Sequence, residues 1–250
     1  MNLNPQQLEA VRHTEGPLLI LAGAGSGKTR VITQRIAYLI QELGILPSNI
    51  LAVTFTNKAA EEMRNRVHAL LGQGGHEVWI ATFHSSCVRI LRRTVDRLGF
   101  SRDFAIYDDS DQITLIKQCL REMKMDEKAL PPRSILARIN GAKNELIGPA
   151  AFEQTTDDFF GSQTGEVYKL YEKKLQENNA LDFGDLIFKT VAVFQKFPLV
   201  LASCQELFQY ILIDEYQDTN RAQSILTRIL ADKHKNLCVV GDPDQSVYRW

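Results

Sequence analysis

Residues Leu18 to Thr29, LLILAGAGSGKT, constrain this chain more than any other stretch. A short apolar run of this kind reads as a buried strand. It leads into a loop in which Gly23, Gly25 and Gly27 allow a tight turn and let backbone N–H groups point inward at an anion. Ala24 and Ser26 complete the loop, and Lys28 is spaced to reach the β/γ-phosphates of a nucleotide. The Thr29 hydroxyl is placed to bind Mg²⁺, and a helix starting near Thr29 would turn its positive end toward the same anion. The strict phosphate-loop pattern has glycine where this chain has Ala22. A glycine-rich turn with an incidental lysine is the bland alternative, but strand, loop and helix stand here in the order the motif needs.

Four further apolar runs, Ile50–Phe55, Val78–Ala81, Tyr210–Ile213 and Leu237–Val240, repeat the strand signal. Helical patterns follow the runs at Leu18, Ile50, Val78 and Tyr210, and three end at Gly44, Gly72 and Gly99. Alternating buried strands and helices predict an α/β fold with a parallel sheet covered on both faces, binding ligands at the strands' C-terminal ends. From about Asp108 to Asp182 the rhythm changes. Helical stretches at 111–123, 133–143 and 166–177 are separated by Pro131-Pro132, Gly148-Pro149 and the polar run Gly161–Gly165, with no convincing strand. The expected organisation is an α/β core in two pieces, 1–107 and 185–250, around an all-helical insert at 108–184.

Composition excludes little. With 250 residues there is material for one large domain or two moderate ones, and a net charge of −1 gives no global attraction to nucleic acid. Contact with nucleic acid must come from local patches. Four scattered cysteines without metal-ligand spacing predict reduced thiols. No signal-peptide pattern and no membrane-length apolar stretch is visible, so the expectation is a soluble, cytoplasmic protein.

The run YILIDEYQD ends a strand on two adjacent carboxylates. Asp214 is expected to hold Mg²⁺, and Glu215 to take a proton from the attacking water as general base. In LCVVGDPDQSVYRW a third strand ends in a polar turn, where Gln245 can hydrogen-bond a γ-phosphate or water. Tyr248 and Trp250 are candidate stacking platforms for unpaired bases, or else core aromatics of the next element. TFTNK and TFHSS close the second and third strands with hydroxyl and amide donors suited to backbone phosphates. His84 in the latter reads as either a functional group or a capping or core histidine. The stripe Arg89, Arg92, Arg93 and Arg97 offers a basic helix face, although such faces are more often merely solvated.

With these residues in view, the chain resembles the N-terminal part of superfamily 1 DNA helicases of the UvrD/Rep/PcrA type, across essentially its whole length. LNPQQLEAV resembles the Q motif, which implies that Gln7 reads the adenine edge. AGAGSGKTR resembles the family's phosphate loop, in which Ala22 is usual and Arg30 lies near the nucleotide. TFTNKAAEEM and ATFHSSCVRIL resemble the motifs that carry Phe55, Thr56, Asn57 and His84 toward single-stranded DNA. ILIDEYQDTN resembles the Walker B segment, with Gln217 and Asp218 linking the nucleotide and DNA sides. VVGDPDQSVYRW resembles the coupling motif, in which Gln245 senses phosphate and Tyr248 and Trp250 stack on bases. The resemblance implies a RecA-like core with a helical accessory domain, ATP and Mg²⁺ as cofactors, and single-stranded DNA and duplex junctions as partners, with no membrane role.

It also implies a second RecA-like domain, absent from this sequence, to supply an arginine finger. Unwinding is therefore not expected of these residues alone. Rival readings are the ATPase part of a helicase–nuclease repair subunit, a non-catalytic nucleic-acid-binding module with a relict phosphate loop, and a metabolic kinase. Intact Lys28, Thr29, Asp214, Glu215 and Gln245 weigh against the relict loop. A kinase leaves TFTNK, TFHSS and DQSVYRW without a use.

Overall fold

The computed structural model describes residues 3–155, 158–242 and 244–245. From the N-terminus the chain runs through α1 (Pro5–Arg12), β1 (Leu18–Leu21), α2 (Lys28–Gln41), β2 (Ile50–Thr54), α3 (Asn57–Leu71), β3 (Trp79–Thr82) and α4 (Phe83–Thr94). There follow β4 (Ala105–Tyr107), α5 (Asp109–Glu122), α6 (Pro132–Asn144), α7 (Pro149–Phe152), α8 (Phe159–Glu177), β5 (Ala180–Asp182) and α9 (Phe183–Lys196). The last stretch holds α10 (Pro198–Leu207), β6 (Tyr210–Ile213), α11 (Arg221–Ala231) and β7 (Leu237–Gly241). Two compact units emerge. One contains the residues up to Ser86, Phe197–Thr219 and those from Ser224 onward; the other contains Cys87–Lys196 and Asn220–Gln223.

The first unit is built on a five-stranded sheet in the order β1-β7-β6-β2-β3, every pair parallel. All five predicted apolar runs became its strands. Ile32, Ile36 and Leu39 of α2 and Ala60, Met63 and Val67 of α3 bury their stripes against Ile50, Ala52, Ile80, Leu212 and Val240. Their i, i+3, i+4, i+7 spacing is what makes one helix face apolar. The other side of the sheet is buried at Leu51, Val53, Ile211 and Ile213, but the edge strand β1 leaves Leu19 and Leu21 about 60% and 62% exposed. Cover on both faces therefore does not extend to β1. Because the strands are parallel, their C-terminal ends share one edge, where Leu21 pairs with Gly241 and Thr54 with Thr82. That edge carries the site.

The second unit is mainly helical, around Leu115, Ile116, Leu120, Ile135, Ile139, Val167, Tyr168 and Tyr171. It departs from the sequence reading in three ways. It is wider than 108–184, because α4 and α9 fold with it beyond Cys87 and up to Lys196. It is not all-helical: β4 and β5 form a two-stranded parallel ribbon. Strands of three residues are too short to give a period, and β5 follows directly on a 19-residue helix that dominates the local pattern. The polar run Gly161–Gly165 does not break the chain but lies within α8. Asp158 caps that helix through the Gly161 N–H, and a Cβ on Gly165 would come 3.0 Å from the Glu153 side chain. The glycine there serves close packing.

A fully buried lysine ties this unit together. Lys143 Nζ of α6 meets Glu172 of α8 at 2.6 Å, Asp182 of β5 at 2.6 Å and Asp185 of α9 at 2.9 Å. Burial pulls its pKa down, but the surrounding carboxylates outweigh this and hold it well above the ordinary value. Among the described residues no single helix is long and apolar enough to cross a membrane.

Candidate nucleotide site and nucleic-acid edge

The phosphate loop connects β1 to α2. Ser26 closes it from within, its hydroxyl donating to the Gly23 carbonyl at 2.7 Å. Gly25 and Gly27 both take positive φ, and Gly27 at +89° is the residue before α2. A side chain there would be strained and would also press its Cβ to 3.2 Å from Gln7 Nε2. Gln7 itself donates to the Ser26 carbonyl at 3.0 Å. It stands in the first turn of α1, fixed by a capping box in which Asn4 and Gln7 bond each other's backbone N–H.

Lys28 begins α2 and is buried. Its ammonium lies 3.3 Å from Glu215 Oε2 and 3.6 Å from Asp242 Oδ2. The Thr29 hydroxyl donates to Asp214 Oδ2 at 3.1 Å, joining residues 185 positions apart. Asp214 extends β6, its N–H bonded to the Val53 carbonyl at 3.0 Å. Burial raises its carboxyl above the ordinary range and the neighbouring Glu215 charge adds to this, against the Thr29 hydrogen bond. A hydroxyl and a carboxylate side by side form a hard-oxygen donor pair of the kind Mg²⁺ takes together with phosphate oxygens and water.

Glu215 occupies left-handed backbone space, φ +53°, which is uncommon for a residue with a side chain. The single-turn helix at Tyr216–Asp218 starts immediately after it. This strained turn sends the Glu215 carboxylate back to the phosphate loop, where Gln217 Nε2 also donates to it at 2.8 Å. The Gln217 side-chain oxygen Oε1 in turn accepts the Asp242 N–H at 3.0 Å. At the end of β7, Gln245 Nε2 donates to Asp242 Oδ2 at 2.8 Å. Ala24, Gly25, Gly27, Lys28, Thr29, Arg30, Glu215 and Gln245 thus line one open cleft of about 350 Å³, together with Arg66 of α3.

Two of these groups escaped sequence reasoning. Asp242 has the same signal as Asp214, a carboxylate directly after a strand, but the polar turn around it draws attention to Gln245 instead. Arg66 is one of several basic residues on α3 and gave no local signal; only the packing of α3 beside α2 brings it to the cleft.

The second and third strands end side by side. Phe55 follows β2 and Phe83 follows β3, and their rings meet edge-to-face at 5.7 Å. Thr56 caps α3 by accepting the Ala59 N–H, which leaves Asn57 exposed in the first helical turn. Thr82 accepts the Ser85 N–H at 3.2 Å, and His84 sits beside it, half-buried, its pKa lowered by burial. Phe55, Thr56, Asn57 and His84 therefore share the edge formed by β2 and β3. In the arginine stripe, Arg92 is used internally, donating to the Arg102 carbonyl at 2.6 Å and lying 3.9 Å over the Phe104 ring. Tyr248 and Trp250 lie outside the described residues.

A family model described as the UvrD/REP helicase N-terminal domain matches residues 3–250. The chain belongs to the UvrD/REP helicase family. It is 56% identical over 248 residues to a protein of Bacillus subtilis named ATP-dependent DNA helicase PcrA. It is 53% identical to a Staphylococcus epidermidis protein and 52% identical to one from Staphylococcus aureus of the same name, each over 249 residues. These alignments cover 99–100% of this family member but 34% of each relative, so the chain spans about a third of the length of the curated relatives it matches.

Proposed function

We propose that this chain is the N-terminal motor module of an ATP-dependent DNA helicase that translocates on single-stranded DNA and unwinds duplex. In this reading the first unit is a RecA-like ATPase core and the second a helical accessory domain carried on it. The observation that carries the proposal is the meeting of the phosphate loop with the three carboxylates that follow β6 and β7. Thr29 bonds Asp214, and Lys28 stands between Glu215 and Asp242. Residues from both ends of the sequence converge on one cleft.

Each group has a task suited to its chemistry. The loop N–H groups and Lys28 bind and orient the phosphates, Arg30 lies along the nucleotide, and Gln7 reads the adenine edge. Thr29 and Asp214 would hold Mg²⁺, which when bound draws negative charge from the phosphate oxygens. Glu215 accepts the proton of the attacking water, and Gln245 orients that water or the γ-phosphate. Gln217 bonds both Glu215 and the Asp242 backbone, and so ties the general base to the turn that carries Gln245. Phe55, Thr56, Asn57 and His84 contact the DNA strand, with Tyr248 and Trp250 as base-stacking partners in the complete enzyme.

The test is titration with a fluorescent ATP analogue in the presence of Mg²⁺. The chain binds the analogue and Lys28→Ala does not, because the charge facing the phosphates is gone. Equal affinity in the two proteins overturns the assignment.

A further inference from the structure

We infer that Arg35 is a positioning residue for nucleotide recognition: its buried guanidinium holds α1 in place and thereby aims Gln7 at the base. The inference rests on the proposed role of Gln7.

Helix α1 has little of its own to hold it. Eight residues are too few for a stable isolated helix, and only Val11 of α1 is buried. Its orientation must come from tertiary contacts. At its first turn Gln7 reaches the Ser26 carbonyl. At the other end Arg35 Nη1 donates to the Ala10 carbonyl at 2.9 Å and also to the His13 carbonyl. These are carbonyls of the last turn and its cap, the groups a helix leaves unpaired and where a positive charge is favoured.

Arg35 is 1% exposed, so this contact is made without competing water. Burial lowers its pKa, opposed by the nearby Cys238, Tyr210 and Glu15. An arginine remains charged under such a shift. The segment it grips is pinned from two further sides. Tyr210 donates to Glu15 at 3.2 Å and the Gly16 N–H donates to Asn236 at 2.9 Å. Helix α2 supplies the rigid link. Arg35 stands seven residues after Lys28, two turns along on the same helical face. One helix therefore carries both the phosphate-facing lysine and the clamp on the base-reading helix.

Both bonds leave the single nitrogen Nη1, whose two N–H directions are fixed in the guanidinium plane, whereas a lysine ammonium is a point charge on a flexible stem and does not hold that geometry. The experiment is competition of a bound fluorescent ATP analogue by unlabelled ATP, GTP and tripolyphosphate, for the parent chain, Arg35→Lys, Gln7→Ala and the double variant. Losing an oriented hydrogen bond to the base changes affinity by about three- to tenfold. Arg35→Lys is expected to lose ATP-over-GTP preference by that factor while tripolyphosphate competes as before. The double variant is expected to lose no more than Gln7→Ala alone, since the two act as one unit.

Retained preference in a folded Arg35→Lys protein overturns the inference, and so does a loss that is equal for all three competitors. Should Arg35→Lys fail to fold, Val11→Ala loosens α1 with the guanidinium intact. It must then lower the preference in the same direction, and an unchanged preference overturns the inference. If Gln7→Ala itself leaves the preference untouched, the base-reading role of Gln7 falls, and the positioning inference falls with it. If Gln7→Ala lowers the preference and Arg35→Lys does not, only the positioning inference falls.

Discussion

Lys28 Nζ lies 3.3 Å from Glu215 Oε2, so the ammonium that faces the phosphate loop is ion-paired with the carboxylate proposed as general base. The Asp242 carboxylate shares the same ammonium at 3.6 Å and also holds the Gln245 amide. The groups assigned to phosphate binding, proton transfer and phosphate sensing thus already engage one another. A phosphate that takes Lys28 competes with both carboxylates at once. It leaves the Glu215 carboxylate held by Gln217, and it frees Asp242 to respond through Gln245.

Glu215→Gln separates binding from chemistry. The substitution keeps the shape and the hydrogen-bonding capacity toward Gln217 but removes one competitor for Lys28. ATP affinity is expected to be equal to or tighter than that of the parent. In the complete enzyme DNA-stimulated turnover should fall by about 10²–10⁴, the usual cost of a lost general base. Single-turnover hydrolysis beside an equilibrium titration reads both quantities. Parent-like turnover would mean that another group activates the water.

Asp214 carries a stability cost in the absence of nucleotide. Its folded pKa is raised by burial and by Glu215. A carboxyl raised on folding binds protons more readily in the folded than in the unfolded chain. Its contribution to stability therefore falls as pH rises from the unfolded value of about 3.9 through the folded one. Asp214→Asn removes that ionisation while an amide oxygen can still accept from Thr29. The melting temperature of the nucleotide-free chain is expected to rise, by about 2–4 °C for each kcal/mol relieved. The further rise on adding Mg²⁺ and ATP should shrink, since ligand stabilisation follows affinity. A thermal scan in both conditions measures this, and a lower melting temperature without nucleotide would refute it.

The strands and the phosphate loop were legible because their signals are local. Buried parallel strands are continuous apolar runs, and Gly25 and Gly27 stand where the backbone turns to positive φ. Asp214 and Glu215 stand out in the sequence only beside the phosphate loop, since a carboxylate pair after an apolar run is by itself common on solvated strand ends. The shared ion pairing of Lys28 was not legible, since it joins residues brought together only by the order β1-β7-β6. For the same reason Arg66 and the clamp of Arg35 on α1 escaped notice. The ribbon of β4 and β5 was missed because three-residue strands carry no period, and Gly161–Gly165 misled because glycine in a helix interior is usually a breaker.

Gly241 tests the link through Gln217. A Cβ built there would come 3.1 Å from Gln217 Oε1, the atom that accepts the Asp242 N–H. Gly241→Ala should displace the Gln217 side chain and loosen its hold on Glu215. Turnover in the complete enzyme should fall while ATP affinity stays within about twofold, because no phosphate-binding group is touched. Gln217→Ala should reproduce the effect, and adding it to Gly241→Ala should cost little more. Additive losses would mean that Gly241 acts through something other than Gln217.

The edge formed by β2 and β3 is proposed to meet single-stranded DNA, and its chemistry sets how that binding responds to mutation, salt and pH. Phe55 is partly exposed and offers a ring face, and Asn57 offers an amide at a helix start. Phe55→Ala should weaken binding by about 1–3 kcal/mol if a base stacks on it. Asn57→Ala should weaken it less and alike for all sequences, as phosphate contacts do. Each phosphate contact adds about −0.7 to the slope of log affinity against log salt for single strands, so affinity should fall steeply with salt. His84 adds a pH term. Its lowered pKa means that burial keeps the imidazole neutral in the fold, whereas the unfolded chain protonates near pH 6.5. The stability this contributes is complete above that pH and is lost as pH falls through the folded pKa. His84→Gln should therefore flatten the pH dependence of stability below about 6.5. Fluorescence anisotropy with a labelled oligonucleotide reads the binding, and thermal scans from pH 7.5 to 5.5 read the stability. Unchanged affinity for both Phe55→Ala and Asn57→Ala would move the DNA path off this edge.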